Sequence, residues 1–243
     1  MNTQTTDSVL VYGGGRIGQA MKELLAGAGH TVCVCDLDPE RGDVTPEKLT
    51  RRHLDVAAVF VAVPASVLDE VADRLTPLMP AETPLIILTK GIPPSDRLLY
   101  ELIAQGELPG APVLLYGPML APEIRRGAPT EAVCAGAASA RAVCAELVAG
   151  TPLSVVQSND VVGVSLCGIL KNVYAIAIGA ARGCELGHNA VATLTLRALR
   201  EMEMIVHDLG GRRETVFTAA GAGDLFATGW SDLSTNSSFG VAD

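Results

Sequence analysis

The sequence is short of the features that mark several protein classes. Its 243 residues hold 18 Lys and Arg against 27 Asp and Glu, a formal net charge of −9 at pH 7. Gripping a phosphate backbone takes clustered basic residues, so nucleic acid is not an expected partner. The six cysteines, Cys33, Cys35, Cys134, Cys144, Cys167 and Cys184, form no CxxC pair and sit inside apolar segments. Buried free thiols in a reducing cytoplasm are expected, rather than disulfides or metal ligands. The four histidines, His30, His53, His188 and His207, show no HxxH or HExxH spacing, and no metal site is expected. No GxSxG elbow is present. No uncharged apolar stretch reads as a membrane span. Met1 to Asp7 is polar and lacks the basic and apolar parts of a signal peptide. No internal repeat or low-complexity tract stands out.

What is present is 49% hydrophobic and 19% charged, ample for a packed core in one or two domains. The first half alternates short apolar runs with helical patterns. Strands are expected at Ser8–Tyr12, Thr31–Cys35, Ala57–Val61, Leu85–Thr89, Val113–Tyr116, Glu131–Ala135 and Thr151–Val156. Helices are expected at Arg16–Ala28, Ala65–Leu75, Ser95–Ala104 and Ser139–Ala149. Strands that are apolar throughout suit a parallel sheet covered on both faces, and the alternation implies a doubly wound α/β fold. Ligands of such sheets bind beyond the carboxyl ends of the strands. The turns Val63-Pro64, Lys90-Gly91 and Gly117-Pro118 follow strand ends and should therefore face one cleft. From Asp160 the pattern changes to long helices. Val161–Ala181, apolar nearly all round, reads as a buried helix, and amphipathic Asn189–Leu209 stops at Gly210-Gly211. The expected organisation is a dinucleotide-binding domain over 1–158 and a mostly helical substrate domain over 159–243.

The strongest local signal follows the first strand: Gly13-Gly14-Gly15-Arg16-Ile17-Gly18, then a helix, then a second strand ending at Asp36. Gly13 allows a sharp turn, Gly15 lets backbone approach a pyrophosphate, and Gly18 lets helix and strand pack closely. The helix N-terminus offers free N–H groups and the positive end of its dipole. Asp36, eighteen residues past Gly18, can accept hydrogen bonds from a ribose diol and would repel a 2′-phosphate. That favours NAD over NADP. An ordinary glycine-rich turn is the bland alternative.

Three residues stand out for chemistry. Lys171 sits mid-helix in Leu170-Lys171-Asn172-Val173, where burial would pull its pKa toward neutrality, as a general acid/base requires. The alternative is a lysine snorkelling to the surface. Lys90, in Thr89-Lys90-Gly91, is either a plain loop lysine or a second cation facing the same cleft and lowering the pKa of Lys171. Asp224, in Ala222-Gly223-Asp224-Leu225, either orients an ammonium or caps a helix.

Together these stretches resemble the NAD(P)-dependent glycerol-3-phosphate dehydrogenase family over nearly the whole chain. The carrying motifs are the Gly13–Gly18 loop, Val63-Pro64, Thr89-Lys90-Gly91, Gly117-Pro118, Leu170 to Ala177, Asn189-Ala190, Arg197, Glu201-Met202, Gly210-Gly211-Arg212, and Ala222 to Leu225 with Thr228. The resemblance implies a Rossmann-type sheet followed by a 6-phosphogluconate-dehydrogenase-like helical domain. It implies a cytoplasmic oxidoreductase of glycerophospholipid metabolism that uses NAD. Lys171 would be the acid/base, supported by Lys90 and Asp224. Gly117, Asn172, Thr228, Thr235 and Asn236 would line the substrate or cofactor site beside Val63 and Pro64.

The sequence also departs from the family. Where the family reads Ser-Arg-Asn-Arg-Arg-Phe-Gly, this chain has Ser234-Thr235-Asn236-Ser237-Ser238-Phe239-Gly240. Thr235 thus replaces an arginine that clamps the substrate phosphate. A charged hydrogen bond lost there is worth about 1.5–3 kcal/mol. The family's GPSFA turn reads Gly117-Pro118-Met119-Leu120-Ala121, and a glutamate often found at Ser165 is absent. Family members usually continue well past the position of Phe239. Three functions follow as expectations: oxidoreduction of glycerol 3-phosphate and dihydroxyacetone phosphate, a related dehydrogenase with a less phosphate-dependent carbonyl substrate, or a non-catalytic NAD-binding regulator. A homodimer is expected to cover the apolar helical face.

Overall fold

The structure, a computed structural model, describes residues 8–230. Seven strands form one sheet: β1 (Ser8–Tyr12), β2 (Thr31–Cys35), β3 (Ala58–Val61), β4 (Pro84–Ile87), β5 (Ala111–Tyr116), β6 (Thr130–Gly136) and β7 (Leu153–Ser158), in spatial order 2-1-3-4-5-6-7. Strands β2, β1, β3, β4 and β5 run parallel. Alternate residues of the inner strands enter two cores, one on each face: Leu10, Val59 and Ile87 on one, Val9, Phe60 and Ile86 on the other. That is why the strands read as unbroken apolar runs.

The sheet is not wholly parallel, and here the expectation is corrected. Strand β6 pairs antiparallel with β5, and β7 then runs parallel to β6. The link from β5 to β6 carries a single short helix, α4 (Ala121–Arg125, 5 residues), which packs on α1 (Arg16–Gly27). The chain then re-enters the sheet beside β5, running the opposite way. The longer α5 (Ala138–Leu147) does make the return before β7.

Two helices start later than expected. In the segment before α2 (Leu68–Leu75) a 3₁₀ turn occupies Ala65–Val67. Ahead of α3 (Leu99–Ala104), the Ser95 amide is held by Asp69 and Asp96 takes a left-handed φ of 56°, which no helix can absorb.

The helical half begins at α6 (Val161–Gly183), followed by α7 (His188–Asp208) and α8 (Asp224–Trp230). Asp160 caps α6: Oδ1 accepts from the Gly163 amide at 2.9 Å, while Oδ2 accepts from the Arg212 amide at 2.9 Å and the Thr215 hydroxyl at 2.5 Å. One buried carboxylate so ties the start of α6 to the segment that leads into α8. A single π turn, Ala219–Gly223, precedes α8.

The reading of α6 as buried all round is corrected. Its first half is enclosed, but Val173 is 59% exposed and Ile176 is 38% exposed. By length and composition the helix would be apolar enough to cross a membrane, but it carries Lys171 and half of that apolar window is buried within the protein. Of the cysteines, Cys35, Cys134, Cys144 and Cys167 are buried and Cys33 partly so, but Cys184, just past the end of α6, is exposed. All six are free thiols.

Candidate active site

Strand β1 ends at Tyr12 and the chain turns at Gly13, whose φ of +105° suits glycine and whose amide donates to Cys35 O at 2.8 Å. The turn brings Gly13 O so near α1 that a Cβ on Gly18 would lie 1.7 Å from it. At Gly15 a Cβ would meet nothing within 4 Å. The loop is thus crowded toward the protein and open on the side from which a pyrophosphate would approach, directly before the free amides of α1. Two cavities meet there, sharing Gly15, Val63 and Pro64 as a common wall.

The first cavity, about 400 Å³, runs over the carboxyl ends of β1 and β2 and is lined by Tyr12, Asp36, Leu37 and Arg41 among others. Asp36 lies at its edge. Its Oδ2 accepts from the Gly14 amide at 2.5 Å and its Oδ1 from the Asp38 amide at 2.9 Å. The carboxylate therefore braces the glycine loop from below. The segment after β2 also folds across the loop, with Arg41 O accepting from Gln19 Nε2 at 2.6 Å. A Cβ on Gly14 would sit 2.5 Å from that same oxygen. Sequence reasoning had no signal for this cover, because it rests on backbone rather than on any residue type.

The second cavity, about 480 Å³, lies toward the helical half and holds Lys90, Lys171, Asp224 and Thr228. Lys90 comes from the turn after β4, Lys171 from the middle of α6, and the other two from α8. Asp224 stands between the lysines: Lys90 Nζ donates to Oδ2 at 2.5 Å, and Lys171 Nζ donates to Oδ1 at 3.4 Å. Lys90 Nζ also donates to Gly117 O at 3.0 Å, and Lys171 Nζ to the Thr228 hydroxyl at 3.0 Å. Lys171 is 8% exposed. Burial, reinforced by the Lys90 charge and opposed by Asp224, pulls its pKa from 10.5 down to about 8. An ammonium so placed can give or take a proton near neutral pH. Of the two readings of Asp224, the geometry gives the one that orients ammonium groups; its carboxylate is committed to both lysines.

The other anticipated residues distribute unevenly. Arg16 and Ile17 line the second cavity, while Gly18 is packed inside the protein. Asn172, one residue past Lys171, donates to Gly168 O at 3.3 Å and is not among the residues lining this cavity. Thr235 and Asn236 lie outside the described residues. Two residues were missed. The buried Tyr116 ends β5, donates its hydroxyl to Thr89 O, and lies with its ring centroid 5.5 Å from Lys90 Nζ. Gly168, one turn before Lys171, makes room for it: a Cβ there would be 2.4 Å from the tyrosine ring. The visible signal was a lone tyrosine closing an apolar strand.

An open glycine loop backed by a braced carboxylate fits a dinucleotide, and a proton-active lysine opens onto the same wall. The protein is thus an NAD-dependent dehydrogenase. Family models agree on the kind: residues 43–142 match the N-terminus, and residues 160–242 the C-terminus, of NAD-dependent glycerol-3-phosphate dehydrogenase. The chain belongs to that family. It is 36% identical over 258 aligned residues to "Glycerol-3-phosphate dehydrogenase [NAD(P)+]" of Rhodopseudomonas palustris (strain BisB5), covering 97% of this chain and 78% of that protein. The protein of the same name from Coxiella burnetii (strain RSA 493 / Nine Mile phase I) is 33% identical, with 96% and 77% covered. The crystal structure of the Coxiella burnetii enzyme superposes with a TM-score of 0.86 at 31% identity, over 97% of this chain and 79% of that one. A dehydrogenase structure from Dunaliella salina, 19% identical with a TM-score of 0.78 over 97% of this chain and 48% of that one, shares the fold.

Proposed function

We propose that this chain interconverts glycerol 3-phosphate and dihydroxyacetone phosphate, with Lys171 as the acid/base. The observation that carries the reading is the Lys171 ammonium, shielded from water, held by Asp224 and Thr228 on the cavity that adjoins the glycine loop. NADH, when held by the glycine loop, would supply the hydride for the ketone carbon. Lys171 supplies the proton to the ketone oxygen, so carbonyl becomes secondary alcohol; in the reverse direction the neutral amine takes the hydroxyl proton. Asp224 fixes the position of Lys171, and Lys90 fixes Asp224 against the Gly117 turn. The Gly13–Gly18 loop, Val63 and Pro64 hold the cofactor, with Asp36 set to receive the adenosine ribose and disfavour a 2′-phosphate. Thr228 serves the substrate side, with Gly117 acting through the Lys90 it holds, while Asn172, bonded to Gly168 and off the cavity wall, is left as a support of α6; Thr235 and Asn236 would join the substrate side. We place the limit between dinucleotide-binding and helical domains at 158–159, supported by the end of β7 at Ser158 and the start of α6 at Val161. The free thiols support a reducing cytoplasmic setting, and the open face at Val173 and Ile176 supports a homodimer.

A second reading, a relative acting on a less polar carbonyl compound, draws on Met119 and Leu120 in the cavity wall and on Thr235. Absorbance-monitored NADH oxidation separates the two. Turnover of dihydroxyacetone phosphate with a sub-millimolar KM is expected. Failure with that substrate alongside efficient reduction of uncharged ketones would overturn the first reading.

A further inference from the structure

We propose that Arg16 binds the anionic end of the substrate. This deepens the function proposed above and rests on it. An arginine inside the glycine loop reads from sequence as a cofactor ligand. The structure puts it elsewhere: Arg16 lines the cavity of Lys90 and Lys171 and is not part of the cavity beside Asp36.

The charge pattern there is unbalanced. Arg16, Lys90 and Lys171 face one described acid, Asp224. Both lysines are committed to that carboxylate, and Lys90 also to Gly117 O. The Arg16 side chain makes no ion pair or hydrogen bond among the described residues. It is exposed at the lip, as the first residue of α1, where the helix dipole adds to its positive field. The neighbouring wall, Met119, Leu120 and Pro122, is apolar and offers no competing charge. A guanidinium in that position can fork onto two oxygens of one phosphate or carboxylate. The molecule that fits is small: a carbonyl or alcohol placed at Lys171, carrying an oxyanion that reaches the start of α1.

The rival oxyanion is the cofactor's own pyrophosphate, and kinetics tell them apart. The purified protein and its Arg16→Ala and Arg16→Lys variants would be compared for KM with dihydroxyacetone phosphate and for Kd of NADH by fluorescence titration. Loss of a forked, charged contact should raise the substrate KM about ten- to hundredfold in Arg16→Ala, with Kd for NADH within about twofold of the parent. Arg16→Lys should recover part of the loss. A parallel rise in the NADH Kd would assign Arg16 to the pyrophosphate and overturn the proposal, as would an unchanged KM. If the parent fails to turn over dihydroxyacetone phosphate, the proposed function falls. Calorimetric binding of that compound to the NADH complex then decides the present point. Binding lost in Arg16→Ala upholds an oxyanion site, and equal binding, or none in either protein, removes it.

Discussion

The two cavities that meet at Gly15 are built by different means. The one beside Asp36 is made largely of backbone: a tight turn, helix amides, and a carboxylate bonded to the loop it supports. The one beside Lys171 is made of side chains from three separate elements, Asp224 lying 134 residues from Lys90 and 53 from Lys171. Backbone construction costs little, since each polar group is paired locally. Side-chain construction places two cations and an acid in poorly hydrated space, and the strain registers as the lowered pKa of Lys171. Binding and catalysis should therefore separate under mutation.

The sharpest separation is expected from Lys171→Met. Losing the proton donor should lower kcat about 10²–10⁴-fold, while NADH binding by fluorescence stays within about twofold. The same change should stabilise the fold. Lysine's pKa falls from 10.5 to about 8 on folding, so the unfolded chain holds the proton more tightly. Stability should be lowest below pH 8 and climb as pH rises from 8 to 10.5. Methionine removes that penalty, worth on the order of 3 kcal/mol at pH 7, measurable by denaturant unfolding. A destabilised Lys171→Met protein would contradict the account.

Asp36→Ser probes the other cavity. NADH affinity should drop about tenfold to a hundredfold as charged hydrogen bonds are lost, with NADPH gaining relative to NADH and kcat at saturating cofactor little altered. A large fall in kcat would show that the two cavities are not separable. The pH profile refines the catalytic side. Carbonyl reduction needs the ammonium, so kcat/KM should fall as pH rises through about 8; alcohol oxidation needs the amine and should rise over the same interval. In Asp224→Asn the group that holds the pKa up is gone, and both midpoints should move to lower pH.

The smallest effect is expected at Ser165, whose buried hydroxyl has no partner among the described residues. Ser165→Ala should leave stability equal or higher by up to about 1 kcal/mol, with catalysis unchanged.

The same contrast explains what the sequence revealed. The glycine loop and the all-apolar strands are local patterns, and each strand lies within a few residues of its expected place. Lys171 was conspicuous because a lysine amid apolar helix residues is costly unless used. The reversal at β6 was hidden, since an antiparallel strand buried on both faces has the same composition as a parallel one. Tyr116 and Gly168 were missed because neither is unusual alone; their meaning is the fit of one ring against one bare backbone position. Cys184 misled because it falls just past the buried Ile178 and Ala181, where α6 has ended and the chain from Gly183 on is exposed.

That ring carries one more implication. Tyr116 grows from the sheet, fills the notch in α6, and hangs its hydroxyl from the strand-end carbonyl beside Lys90. Together with the Lys90–Asp224 pair, that ring fastens the sheet to the helical half at the point where the two lysines converge, so a side chain added at Gly168 would be felt at both amines.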